Sequence, residues 1–464
     1  MDANLKHPQT PYTTRVVFVA GAGAVGSAVA EQYLKDGWKV CVVSKSGSNK
    51  IAGALNLKAD LEDHHQTITA VDECVKQYGA ITIAVCAAGS YPAHKGISTS
   101  REMLTRHVCN LELNFARAIA PLLRQKREGA MVFFTSSLTL MCIDSPGMTE
   151  FLAWTNGLSG MVDGLTTELR QAHVRVSAII LGFVAGSKFS RATRDGFGTK
   201  AVNPELANEA KWVPPTDVAK SVKFLTEPAN LNGSIWELEV TPQIMLDKNG
   251  LFTDAKRVEE MLAKLDGPAF RDNKVALITG SGKGIGRGVA LEMCRAGYHI
   301  AALTRTAADL DSLEIECKGI NPRCEVMKIP VDVTNEKALE EAVRKTVEKF
   351  GTVTVVVSNA GTNRRRVAAL ADMKTWRDVM DVDLLAAMNL TRLSLPFLIR
   401  HAKLTKLPEK PIVAFVSTRY AHHRGARMPG ISPYITAKAG TNAFAKIVLE
   451  EVRDFGVGVL GETG

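Results

Sequence analysis

The same sequence frame occurs twice in this chain, each time opening with an apolar, β-branched run that passes straight into a cluster of glycines. Val16-Val-Phe-Val-Ala20 leads into Gly21-Ala-Gly23-Ala-Val-Gly26, and Val275-Ala-Leu-Ile278 leads into Thr279-Gly280-Ser-Gly-Lys283-Gly284-Ile285-Gly286. Apolar runs of strand length alternate with helix-length segments after both turns, the pattern of a parallel sheet covered on both faces. A restart of the whole order predicts a repeat of domains rather than of short units.

Length agrees with this division, since 464 residues exceed what one hydrophobic core usually fills. The expected organisation is a first Rossmann-type α/β domain over 1–245, a linker with one docking helix over 246–272, and a second such domain over 273–464. Both are doubly wound parallel sheets. Measured by the offset of the repeat, the second copy is expected to be truncated at its C-terminus, lacking the end of its sixth strand, the segment capping the substrate and a seventh strand. The hydrophobic share of 46% and charged share of 23% exclude a largely disordered chain.

A glycine turn after a strand lets backbone amides approach a pyrophosphate, and the helix that follows adds a positive N-terminal dipole. Gly280, Lys283, Gly284, Ile285 and Gly286 form such a turn, with Asp332 and Val333 after the third strand at the expected adenine position. Charge then selects the cofactor. Thr304-Arg305 ends the second strand, and with Lys283 it offers two cations to a 2′-phosphate, so NADP(H) is expected over NAD. In the first copy Gly21, Gly23 and Gly26, with Ser44-Lys45 and Asp60, leave nucleotide binding and an empty relic equally open.

Beyond the turns, the second copy carries Ser358-Asn359-Ala360-Gly361, a strand leading to Ser417, and Tyr434-Ile-Thr-Ala-Lys438. With these residues in this order the chain resembles, in tandem, the short-chain dehydrogenase/reductase family, and is similar to its 3-oxoacyl and carbonyl reductases. The resemblance implies hydride transfer between NADP(H) and a ketone or aldehyde. Tyr434 would act as proton donor, Lys438 would lower its pKa and hold the nicotinamide ribose, and Ser417 would hydrogen-bond the carbonyl oxygen. Asn359, Ala360 and Gly361 would line the cofactor.

Where the family has a fourth residue, an asparagine, this chain has Asp383, whose carboxylate would offset the field of Lys438 at Tyr434 if it is not simply a helix surface residue. The first copy keeps Ser136 and has Asn110, but Phe151 and Thr155 stand where Tyr and Lys are needed. Acid–base reduction is therefore expected only in the second copy. The rival reading is a non-catalytic NADP(H)-binding or scaffold protein built from two eroded domains.

The net charge of +9 sits almost wholly in the second half: from Arg271 onward 29 Lys+Arg face 21 Asp+Glu, or +8. Arg364, Arg365, Arg366, Arg419, His422, His423, Arg424 and Arg427 would form a basic rim suited to an anionic substrate such as an acyl thioester, with a solvated loop as the plainer reading. The expected partner is a small carbonyl or alcohol compound, without nucleic acid or membrane. By family analogy the halves would pair as an internal pseudo-dimer, or the chain as a homo-oligomer. Eight cysteines form no CxxC pair and read as reduced core thiols; no metal is expected, and the location expected is cytoplasmic.

Overall fold

A computed structural model describes residues 12–89, 110–136, 149–188, 190, 191, 209–228, 235–238, 262, 265, 268–362, 371–421, 430–452 and 455–461. The first half runs β1 (Val16–Ala20), α1 (Ala24–Lys35), β2 (Lys39–Ser44), β3 (Leu55–Lys58), α2 (His64–Tyr78), β4 (Ile83–Cys86), α3 (Asn110–Lys126), β5 (Gly129–Ser136), α4 (Thr149–Leu169), β6 (Val174–Leu181), α5 (Pro215–Thr226) and β7 (Ile235–Leu238). The second runs β8 (Val275–Thr279), α6 (Gly284–Arg295), β9 (His299–Thr304), α7 (Ala307–Ile320), β10 (Val326–Pro330), α8 (Glu336–Phe350), β11 (Val355–Ser358), α9 (Met373–Met380), a π-turn (Asp381–Leu385), α10 (Ala386–Leu404), β12 (Ile412–Phe415), α11 (Ser432–Val452) and β13 (Gly458–Leu460).

The strands form two all-parallel sheets, ordered β3-β2-β1-β4-β5-β6-β7 and β10-β9-β8-β11-β12-β13. In each, the order reverses beside the first strand, which opens a crevice at the carboxyl ends where ligands of such sheets bind. The strands β1 and β8 are buried at every residue, as strands covered on both faces must be. Each buried valine or leucine there contributes about 1.5–3 kcal/mol over exposure.

The halves differ between their second and third strands. Where β9 is followed by α7, β2 passes to β3 through a non-helical loop containing Gly47 and Gly53, so one covering helix is missing from the first half.

The two halves meet along α4 and α11. A Cβ added to Gly160 would lie 3.2 Å from the Ile435 carbonyl, and one at Gly440 would lie 2.9 Å from the Ala153 carbonyl. Absent side chains are what let these helices approach. Glu168 accepts a hydrogen bond from Ser432 at one end of the crossing. The continuous helical run Met373–Leu404 is long and apolar enough to cross a membrane by composition, but 72% of its apolar window is buried inside the protein, as in a core helix. The six described cysteines are free thiols and buried. The expected linker lies outside the described residues except for Leu262, Leu265 and 268–272.

Candidate active site

The glycine turn of the second half is closed by its own sheet. Thr279, the last residue of β8, accepts backbone hydrogen bonds at Oγ1 from Asn359 and Ala360, each 3.0 Å, while the Asn359 amide donates to the Thr279 and Gly280 carbonyls at 2.9 and 3.2 Å. Gly280 turns at φ +66°, and Gly286 is required by contact: its Cβ would stand 2.4 Å from both Asn359 Nδ2 and the Gly280 carbonyl. The backbone is thus bare where α6 begins. Ile285, in that first turn, is 65% exposed.

Around this turn stand the expected cations. Arg305 is exposed after β9, and Lys283 is exposed at the N-cap of α6. Sequence reasoning missed Asp309, whose Oδ2 lies 3.5 Å from Lys283 Nζ and which packs against Gly282. It stands in the first turn of α7, five residues after Thr304, so only the helix brings it back over the turn. Arg287 was also missed. It donates to the Gly282 carbonyl at 3.0 Å and the Asp309 carbonyl at 3.1 Å, fastening the turn to α7. Asp332 accepts from the backbone and hydroxyl of Thr334, at 3.0 and 2.8 Å, and Val333 is buried beside it.

Beside Gly361 the structure brings together Asp383, Tyr434 and Lys438, with Ser417 next in the chain to the Val416 carbonyl that Lys438 meets. Tyr434 and Lys438 lie one turn apart on α11, which puts them on one face, with the ammonium 5.8 Å from the phenol ring centre. Lys438 Nζ donates to the Val416 carbonyl at 3.0 Å and forms an ion pair with Asp383 Oδ1 at 3.2 Å. Asp383 is therefore no surface residue. It is 1% exposed on the π-turn, and its Oδ2 accepts from the Thr362 amide at 2.8 Å. Ser417 is half-buried, and its Oγ has no hydrogen-bond partner among the described residues.

The electrostatics follow from this pairing. Burial raises the Asp383 carboxyl above its ordinary value, against the pull of Lys438 and the Thr362 amide. The Tyr434 phenol is also raised, first by burial and then by the Asp383 charge, with a hydrogen bond from Thr418 opposing. The lowering expected from Lys438 is thus not the net result. Its ammonium faces the carboxylate, which cancels much of its field at the phenol.

In the first half Gly21 turns at φ +100°, and a Cβ on Gly26 would strike the Gly21 carbonyl, so the turn is preserved. What closes it differs. Ala87 and Ala88 replace Asn359 and Ala360, and Asn49 from the loop after β2 donates to the Ala22 carbonyl at the turn. Gly23 has open space before its Cα. Lys45 and Asp60 pair with each other at 2.7 Å. Thr155 is buried, and its carbonyl accepts from Thr135 Oγ1 at 3.1 Å; Ser136 is buried on β5. Asn110 opens α3, while Asn114 one turn later is buried and donates to the Leu61 and Glu62 carbonyls at 3.0 Å each. The side chain of Phe151 lies outside the described residues, as do Arg364–Arg366 and His422–Arg427 of the basic rim and the side chain of Arg419.

Two all-parallel sheets, each with a bare glycine turn where the strand order reverses, define a tandem nucleotide-binding fold. The short chain dehydrogenase family profile matches residues 15–196 and 274–461, and the chain belongs to that family. A 3-oxoacyl-[acyl-carrier-protein] reductase from Staphylococcus epidermidis is 28% identical over 190 residues, 40% of this chain and 72% of that protein. D-erythrulose reductase of Gallus gallus is 51% identical over 75 residues, 16% of this chain and 28% of that protein. Among solved structures, the N-domain of a bacterial malonyl-CoA reductase with NADP aligns over 96% of this chain and 90% of its own, at TM-score 0.68 and 18% identity. The C-domain of that enzyme aligns at TM-score 0.68 and 14% identity, over 97% of this chain and 91% of its own. The last two establish a shared fold across both halves.

Proposed function

We propose that this protein is an NADP(H)-dependent oxidoreductase that transfers a hydride to a ketone or aldehyde, with its chemistry in the second half. The observation that carries this reading is that Tyr434 and Lys438 share one face of their helix, with Lys438 Nζ 3.7 Å from where a Cβ on Gly361 would stand, while Asn359 and Ala360 of the same segment close the bare turn Gly280–Gly286. The turn fits a dinucleotide pyrophosphate because neither Gly280 nor Gly286 has room for a side chain within the fold, and Arg305 and Lys283 supply positive charge for a 2′-phosphate. NADPH bound there supplies the hydride.

The residues of the chain do the rest. Ser417 Oγ donates to the carbonyl oxygen, stabilising the negative charge that develops on it. Tyr434 delivers the proton. Lys438, held between the Val416 carbonyl and Asp383, is the cation that steadies the phenolate left behind. Asp383 fixes the position of that ammonium and tempers its field. The first half, with Thr155 in place of the lysine, serves as the support against which α11 packs.

A 3-oxoacyl thioester is the proposed substrate class, supported by the names of the relatives and by the net charge of the second half. The test is NADPH oxidation by the full chain with a panel of ketones that includes a 3-oxoacyl thioester. Turnover that disappears in Tyr434→Phe is expected; unchanged turnover in that variant refutes the assignment.

A further inference from the structure

Away from both crevices, three cysteines converge in the core of the second half. Cys294 lies in the last turn of α6, Cys317 in the last turn of α7, and Cys324 in the bend that enters β10. Their sulfur atoms all lie within 4.8 Å of one another, and the residues are 0%, 0% and 3% exposed. The walls are apolar: Ile300, Leu313 and Val326 belong to the same cluster.

We propose that Cys294, Cys317 and Cys324 form a trithiol site for a trivalent thiophilic species of the arsenite class. Geometry admits such a centre. Thiolate bonds of about 2.3 Å around a pyramidal three-coordinate centre place the sulfurs roughly 3.3–4 Å apart, so pairs that now lie within 4.8 Å need to close by at most about 1.5 Å. Two thiols now donate to backbone carbonyls, Cys294 to Cys317 and Cys324 to Tyr298, both at 3.2 Å, and these bonds are exchanged for bonds to the centre.

Charge selects the valence. Three thiolates around a monovalent ion leave two negative charges in the apolar core, and around a divalent ion they leave one; around a trivalent centre they leave none. Arg287 is engaged with Glu316 and Arg295 with Glu292, and Arg323 is exposed to solvent, so a charged complex in the apolar core would be poorly compensated. Binding of arsenous acid breaks three As–O bonds and forms three As–S bonds, the thiol protons leaving in three waters with no change of oxidation state. Entry is by the bend itself, where Cys324 is flanked by exposed Arg323 and Glu325.

The test titrates the reduced full-length protein with sodium arsenite and reads native mass and free thiols. One arsenic gained with three protons lost, and three of the eight thiols protected, is the expected result. Cys317→Ala and, separately, Cys324→Ala should abolish both signals, with folding checked by circular dichroism and the second variant deciding if the first does not fold. Cys41→Ala, at the separate Cys41–Cys74 contact, should keep them. No mass gain, a gain that survives in the folded Cys324→Ala variant, or Zn(II) or Cu(I) that loads these thiols and resists arsenite would each overturn the proposal.

Discussion

Lys438 Nζ and Asp383 Oδ1 stand 3.2 Å apart in a corner where the two side chains are 5% and 0% exposed. An ammonium so enclosed keeps its position only because the carboxylate and the Val416 carbonyl both receive it. The same contact makes Asp383 a counter-charge to the group proposed to steady a phenolate, and its charge helps raise the Tyr434 phenol.

Asp383→Asn should therefore shift the pH dependence of alcohol oxidation. In that direction Tyr434 must be deprotonated, so the rate rises through its pKa. Removing the Asp383 charge removes an influence that raises this value, and the limb should move to lower pH. A profile of kcat/KM against pH that does not move would contradict the assigned role.

Asn359→Ala removes the two amide hydrogen bonds that hold the Thr279 and Gly280 carbonyls. Loss of such bonds costs about 1–3 kcal/mol, which corresponds to roughly ten- to hundredfold weaker NADPH binding if the turn loosens. Fluorescence titration with NADPH measures this, with Gly286→Ala expected to be worse because its new Cβ meets backbone.

Asp309→Asn should favour the phosphorylated cofactor. Freed from its 3.5 Å partner, Lys283 can turn wholly to a 2′-phosphate, and a nearby like charge is lost. Exposed pairs of this kind are worth about 0.2–1 kcal/mol, a gain of up to roughly fivefold in the NADPH over NADH ratio of kcat/KM. Lys283→Gln should lower that ratio.

Gly164→Val tests the meeting of the halves. Even a Cβ at this position would lie 2.3 Å from Ser432 Oγ and 2.7 Å from its Cβ. Overpacking of a fitted surface costs about 1–3 kcal/mol, and the lower melting temperature should be accompanied by weaker turnover, because α11 carries Tyr434 and Lys438.

His401 gives the fold an acid-sensitive point. Fully buried, with Nδ1 2.8 Å from Thr352 Oγ1, it has its pKa lowered by burial. As pH falls below about 6.5 the unfolded chain takes up the proton first. Stability at His401 is thus full above that pH and is lost on acidification toward the folded value. Urea midpoints measured at neutral and mildly acid pH should fall less in His401→Gln than in the wild type.

Much of the architecture was legible because it rests on local signals. The β-branched runs, the glycine turns and the restart at Lys274 give the order of elements, and the sheet order places both turns at a crevice. Tyr434 and Lys438 were readable as a pair because four residues on a helix make one turn. Asp309 was not, since its place over Gly282 depends on α7 folding back across the turn. Nor was the Asn49 contact that closes the first turn readable in advance, because no motif marks a loop side chain meeting a distant carbonyl.

Covalent order alone, through periodicity and short-range turn chemistry, determined two parallel α/β halves, their glycine cradles and the loss of the tyrosine and lysine from the first. Only packing in three dimensions decided that Asp383 faces Lys438, that three cysteines from separate elements share one pocket, and that α4 lies against α11. The physical reason is range. Helix and strand preferences act over a few residues, whereas an ion pair, a thiol cluster and a helix crossing each join positions whose approach is fixed by burial of the whole core.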